Sequence, residues 1–316
     1  MYHTALAHLF RSSVNEQEHA PIHPPFAGEE TSMSTAAAPD LPADIAKAMR
    51  ALEVRYGTPW SAPLPSWNDT LDTLLAHRSV RSYAHRPLPE GTLETLIAAA
   101  QSASTSSNLQ TWSVVAIENP ERKARLAELA GGQSHVREAP LFLVWLADLA
   151  RLEAAGARSG ASVEGLHYLE TLVVGIIDAA LAAQNAVVAL ESLGMSTVYI
   201  GGIRNRPEQV AAELGLPPRV LPVFGMCVGY PDETRPAEVK PRLPQAVVLH
   251  REQYDAPSQA AAITQYDEIM SGFQTSQGLS AAGWTSRSLA RWRSRESLHG
   301  RDRLREALNA LGFELR

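Results

Sequence analysis

The chain is poor in cysteine: Cys227 is the only one, so no internal disulfide can form, and no Cys/His cluster offers the spacing of a metal site. A reducing compartment is expected, with Cys227, inside the apolar run 223–228, acting as a small buried hydrophobe rather than a reactive thiol. No stretch is apolar throughout the roughly 18 residues that a membrane span requires. The first ten residues also lack the positive charge and apolar length of a signal peptide. No membrane association and a cytoplasmic location are therefore expected. Nucleophilic machinery is missing as well. There is no G-x-S-x-G elbow, no H-E-x-x-H and no cysteine with a nearby histidine. Neither the G-x-G-x-x-G spacing of a dinucleotide fold nor a P-loop lysine is present. A formal charge of −6 argues against nucleic acid as a partner. Arginines do crowd the end of the chain (Arg287, Arg291, Arg293, Arg295, Arg301, Arg303, Arg305), but Glu296, Asp302 and Glu306 interrupt them, as on a solvated helical face.

An apolar share of 45% over 316 residues suits one large globular domain or two ordinary ones. Residues up to Pro39 are rich in Ser, Thr, Ala, Pro and Glu without apolar periodicity, so residues 1–66 read as an N-terminal extension, flexible at least to about residue 40. Met33 is a candidate alternative start. A short helix is expected over 42–54, then a connector punctuated by Pro63 and Pro65. Asn68, Asp69 and Thr70 can cap a helix carrying Leu71, Leu74 and Leu75, and another follows Pro89. Strands are expected over 113–117, 141–146, 196–200 and 220–228. Between them Asn119-Pro120 opens a helix that Gly131 ends, and Pro207 opens one that stops at Gly215. Residues 151–164 read as a loop or the start of a lid. The longest helical pattern, 165–193, is apolar on nearly all sides, which calls for burial all round. Packing against a second subunit accomplishes this most simply, so a homodimer is expected; a central helix in a monomer is the alternative.

Three patches can bind a ligand. His77-Arg78-Ser79-Val80-Arg81 sets several donors within a short stretch, as a phosphate or planar anion requires, although surface arginine pairs look the same. The row of hydroxyls and amides from Ser102 to Gln110 suits a polyol and a heterocycle, or an ordinary polar loop. Tyr199-Ile200-Gly201-Gly202 puts paired glycines between a strand and a helix, which permits either close backbone approach to a ligand or a tight turn. Lys240-Pro241-Arg242 adds two cations on a stiff backbone. Ligand-binding patches without nucleophiles suit a cofactor that carries the chemistry.

Taken in order, HRSVRSY from His77, STSSNLQ from Ser104, GGQSHV from Gly131, AQNAVVALESLGMSTVYIGGIRN from Ala183 and LPVFGMCVGYP with KPRLP from Lys240 resemble the nitroreductase family. The likeness is greatest to its NADPH-linked branch, the flavin reductases and A-type oxygen-insensitive nitroreductases. The resemblance implies an α+β fold, a mixed sheet flanked by helices, with the long central helix at a homodimer interface. An FMN-binding domain would span 67–266, and 267–316 would form a lid or arm. His77, Arg78, Ser79 and Arg81 would surround the FMN phosphate and ribityl chain, with Lys240 and Arg242 adding positive charge. Thr105, Ser106 and Ser107 would bind the flavin, Gln133 would sit at the ring edge, and Tyr199, Ile200, Gly201 and Gly202 would run along the ring. The Gly201 amide would bond N5, no protein residue being a chemical catalyst. Hydride would pass from NADPH or NADH through the flavin to a nitroaromatic, quinone or free flavin by a ping-pong mechanism. A flavin store or redox sensor without turnover is the alternative. Residues 275–284 carry no cation where the NADPH-linked branch presents arginines to the 2′-phosphate, so a relaxed nicotinamide preference is expected, unless Arg287, Arg291 or a partner residue substitutes.

Overall fold

The computed structural model describes residues 42–257 and 259–316. The expectations about the flexible segment and about Met33 lie outside the described residues.

Four strands form one sheet: β1 (Trp112–Ile117), β2 (Leu141–Asp148), β3 (Ser196–Ile200) and β4 (Val220–Gly229), in the order β1-β2-β4-β3. All three pairings are antiparallel. The parallel component expected of a mixed sheet is confined, among the described residues, to one bridge between Ser79 and Thr197 on the outer side of β3. There the Val80 amide donates to the Thr197 carbonyl at 3.0 Å, so the His77–Arg81 segment runs along a sheet edge.

Every residue of β2 but the last is buried, and its side chains alternate between two layers. Leu141, Leu143 and Trp145 pack with Ala182, Ala186 and Leu190 of the long helix, α7 (Leu169–Ser192). Phe142, Val144 and Leu146 face the other way, against Leu126, Ala127 and Val210. Those three come from α4 (Pro120–Leu129) and α8 (Pro207–Leu214). Ahead of β1 lie α1 (Ala43–Tyr56), α2 (Asp69–Ala76) and α3 (Thr92–Gln101); α5 (Ser134–Glu138) precedes β2. The Asn68 and Asn119 side chains accept from the Leu71 and Arg122 amides, which are the caps the sequence offers.

Residues 151–164, expected to be a loop, are largely helix: α6 spans Ala150–Ser159 and ends at Gly160 in the left-handed conformation. Arg-Leu-Glu-Ala-Ala is rich in strong helix formers, and that propensity outweighs the small-residue composition. After β4 come α9 (Gln245–Val248), α10 (Gln259–Ser276), α11 (Trp284–Arg291) and α12 (Leu304–Ala310).

The central helix is apolar on both sides but buried on one. Gly175 brings it close to the sheet, where an added Cβ would meet Ala147 at 3.1 Å. On the opposite face Leu169, Val173, Ile177 and Leu181 form an exposed stripe at helical spacing. Although no run in the sequence is apolar throughout, this helix is, on average, long and apolar enough to cross a membrane. Burial of Ala179, Ala182, Ala183 and Ala186 against the sheet makes it a core helix instead.

Candidate functional site

The His77–Arg81 segment and the Lys240–Arg242 segment come together at one end of α7. The His77 ring Nδ1 lies 2.7 Å from the Glu191 carboxylate in the last turn of that helix. Tyr266 of α10 donates its hydroxyl to the Pro241 carbonyl at 2.8 Å, holding the second segment from behind. The Lys240 ammonium is held below its usual pKa, by burial first and then by the charges of Arg81, Arg287 and Arg242. No carboxylate forms an ion pair with Arg81, Lys240, Arg242 or Arg287 among the described residues; the ion pairs of the arginines lie elsewhere, as in Arg235 with Asp232 and Arg303 with Glu208. Four solvent-accessible cations gathered without a counter-ion give this end of the helix a positive potential that attracts anions. Arg287 and Arg242 also line a cavity of about 450 Å³ with Tyr266, Trp284 and Trp292.

A second group of cations flanks the paired glycines. A Cβ added to Gly201 would lie 3.6 Å from the Arg204 guanidinium and 3.9 Å from that of Arg301. Burial lowers the pKa of both, and the charge of Arg291 lowers each further. Arg204 donates to the Val223 carbonyl, which fixes its stem against the sheet. Of the terminal arginines, Arg287, Arg291, Arg293, Arg295, Arg303 and Arg305 are exposed, as expected of a solvated face, and Arg295 pairs with Asp302. Arg301 is half-buried, and the charges of Arg287 and Arg291 bear on Lys240 and on Arg204 and Arg301 respectively.

Gly202 is a position where only glycine fits. An added Cβ would collide with the Ala130 carbonyl and lie 2.7 Å from the Gln133 amide nitrogen. Gln133 donates to that same carbonyl at 2.8 Å, which holds its side chain beneath the glycine turn. Tyr199 packs edge-on to Phe224, with centroids 5.2 Å apart, and its side chain is on the open face of β3 while Ile200 is buried. The buried polar atoms His135 Nε2, Thr197 Oγ1 and Asn205 Oδ1 have no protein partner; Asn205 ends the glycine turn and Thr197 bridges to Ser79.

The serine-rich loop is built differently. Asp178, 1% exposed in the middle of α7, accepts from the Thr105 hydroxyl at 2.7 Å, the Ser106 amide at 3.2 Å, and the Thr111 amide and hydroxyl at 3.0 and 2.8 Å. Burial opposes its charge, but these hydrogen bonds together outweigh it and hold the carboxyl below its ordinary range. The Thr105 hydroxyl also accepts from the Gln110 amide at 2.9 Å, so Thr105 anchors the loop rather than facing outward. Ser107, Asn108 and Gln110 all have φ between 46° and 57°, a left-handed conformation unfavourable for side-chain-bearing residues. Strain at three positions in four leaves the Ser106 and Ser107 side chains on a preset loop.

Sequence reasoning did not single out Asp178 or Arg55, and although it named Arg291 as a possible 2′-phosphate partner it did not group it with Arg204 and Arg301. Asp178 was visible in principle, as a lone carboxylate in an apolar helix that must find partners. The arginine group carried no local signal. Asp178 and Glu191 are 13 residues apart on one helix, about 20 Å along its axis. The serine loop and the His77 segment are therefore well separated within one chain.

A model described as the nitroreductase family matches residues 74–230, and one for that family's C-terminal domain matches residues 240–316. The chain is 38% identical over 225 residues to the NADPH-flavin oxidoreductase of Vibrio harveyi, covering 71% of this chain and 88% of that protein. It is 37% identical over 259 residues to an FMN reductase [NAD(P)H] of Bacillus subtilis, covering 78% and 99%. Nitroreductase A from Vibrio parahaemolyticus superposes with a TM-score of 0.71 at 34% identity, over 79% of this chain and all of that one. The chain belongs to the nitroreductase family.

Proposed function

We propose that this protein moves electrons from a reduced nicotinamide, through bound FMN, to small electron acceptors such as quinones, nitroaromatics or free flavin. It is an NAD(P)H-dependent oxidoreductase of its family, with FMN as the cofactor. The observation that carries the reading is the uncompensated cluster of Arg81, Lys240, Arg242 and Arg287, because a flavin phosphate supplies the charge that the protein withholds. The orphaned polar atoms and the glycine-only turn at Gly202 also fit a planar ligand lying close to the backbone.

In this reading His77, Arg78, Ser79 and Arg81 hold the phosphate and ribityl chain from the edge of β3, joined by Lys240 and Arg242. Tyr199, Ile200, Gly201 and Gly202 border the ring, with Gln133 behind them and the Gly201 amide bonding N5. Bound FMN supplies a two-electron carrier that takes hydride from the nicotinamide and yields electron pairs to the acceptor. The chain's own share is position and charge: its cations stabilise negative charge on the reduced cofactor, and the rigid turn holds the ring where donor and acceptor can approach in turn. A ping-pong order follows when the two use one face.

The exposed stripe Leu169, Val173, Ile177 and Leu181 supports a homodimer through α7. The separation of the serine loop from the His77 segment supports Ser106 and Ser107 reaching the flavin of the partner subunit, with Thr105 holding the loop. A soluble, cytoplasmic protein with no membrane or nucleic-acid partner fits the core role of α7 and the formal charge of −6.

The nicotinamide preference is proposed to be relaxed, because residues 275–284 bear no cation. Comparable kcat/KM with NADPH and NADH is expected; a large NADPH preference that Arg291→Gln abolishes would instead assign the 2′-phosphate to the arginines beside Gly201. The reading as a whole is tested by purifying the protein with FMN present and recording its visible spectrum. A flavin band bleached by NAD(P)H without oxygen and restored by a quinone is expected. A colourless protein that takes up no FMN would overturn it, and a bound flavin that NAD(P)H leaves oxidised would reduce it to a flavin store.

A further inference from the structure

The helix α1 lies ahead of both family matches, which begin at residue 74, yet it reaches the centre of the proposed phosphate site. Arg55, in its last turn, is 6% exposed and forms no ion pair with a carboxylate among the described residues. One guanidinium nitrogen donates to the Leu75 carbonyl at 2.6 Å and to the His77 carbonyl at 2.7 Å. The other donates to the Lys240 carbonyl at 3.1 Å. In return the Arg242 amide donates to the Arg55 carbonyl at 2.9 Å. The end of α1 is itself fixed: Tyr56 accepts from the Gln245 side chain at 3.2 Å, and Gly57 turns in the left-handed conformation against Ile269, where a side chain would collide.

We propose that Arg55 is a positioning residue for FMN, holding the two phosphate-binding segments at a fixed separation and adding a buried positive charge behind them; this rests on the FMN reading above. The two segments are far apart in sequence, and one planar group with a rigid fork of donors joins their backbones. That geometry sets how far the cations of the first segment stand from Lys240 and Arg242. Arg55 is also close enough to Arg242 for its pKa to fall, through burial first and then through that neighbouring charge. An isolated buried cation of this kind is unfavourable unless hydrogen bonds and an anion compensate it. The carbonyls provide the first, and a phosphate held by the two segments would provide the second.

The test compares FMN with riboflavin, which lacks the phosphate, by fluorescence titration of apoprotein carrying Arg55→Met, Arg55→Lys or the native arginine. A residue that merely supports the fold affects both ligands alike, whereas one that sets the phosphate site affects FMN alone. Arg55→Met is expected to weaken FMN by about 30-fold or more and riboflavin by less than about threefold. Arg55→Lys keeps the charge but loses the fork, and an FMN-selective loss of about tenfold is expected. Ala48→Gly weakens the same helix without touching either segment, and should leave the FMN-to-riboflavin ratio unchanged. Equal losses for both ligands, or native FMN affinity in the Lys variant, would overturn the proposal; because the Lys variant is read independently, a Met variant that does not fold leaves the test intact. If the native protein binds neither ligand, the FMN reading itself falls.

Discussion

Asp178 is a buried charged group and Lys240 a solvent-accessible, partly desolvated one, and the protein treats them in opposite ways. Asp178 receives four hydrogen bonds from Thr105, Ser106 and Thr111, and its carboxyl is held below the ordinary range despite burial. Lys240 receives no counter-ion, and three arginine charges bear on it in addition to burial. The first arrangement is complete within the chain, so its product is architecture: a strained loop held to α7. The second has no counter-ion among the described residues, and the proposed function assigns that place to the flavin phosphate. Whether a charge is satisfied internally is what distinguishes the two.

That distinction gives a graded set of expectations. Replacing Asp178→Asn removes the charge from four donors and presents an amide to them, so unfolding free energy should fall by roughly 2–4 kcal/mol near neutral pH. Because the folded pKa of Asp178 is depressed, its stabilisation is fully present above the unfolded value of about 3.9 and is lost as pH falls through the folded value. Denaturation of the two proteins across pH should therefore show a gap that narrows in acid; a gap independent of pH would mean that the side chain's charge is irrelevant. Gly202→Ala drives a Cβ into the Ala130 carbonyl, and a loss of about 1–3 kcal/mol is expected, with flavin uptake weakened as the turn shifts. Thermal unfolding with and without FMN checks both parts. Smallest of the three, Ser107→Gly relieves a left-handed residue at φ 46° and should raise apoprotein stability by about 0.5–1 kcal/mol. A decrease would show that the loop is held by the serine side chain and not by its anchor at Asp178.

The same contrast explains how much was legible in the sequence. The strands were visible because each is a short apolar run bounded by Gly, Pro or Asn, and β3 spans 196–200 as the pattern required. The caps at Asn68 and Asn119 were visible because capping is local. The motif residues could be placed near one another only through the family resemblance, since His77 and Lys240 meet across the fold. Arg55 was invisible for that reason: at the end of an amphipathic helix an arginine ordinarily faces water, and nothing local announces two carbonyls from distant segments. Residues 151–164 were misread because alanines and glycines suggested a loop, whereas Leu152, Glu153, Ala154 and Ala155 favour helix. The seven terminal arginines looked alike in sequence, and tertiary structure sorted them into surface ion pairs, as at Arg295 and Arg303, and cations whose charge bears on the clusters around Lys240 and Gly201.

The central claim is that the cations left unpaired by the chain form the site for a flavin phosphate. It is tested most directly by titrating the native apoprotein with FMN and with riboflavin at low and at moderate salt, alongside Lys240→Gln and Arg242→Gln. FMN should bind about 100-fold more tightly than riboflavin, each substitution should remove roughly tenfold of that advantage, and salt should shrink it. Equal affinity for the two flavins, insensitive to salt and to both substitutions, would contradict the account.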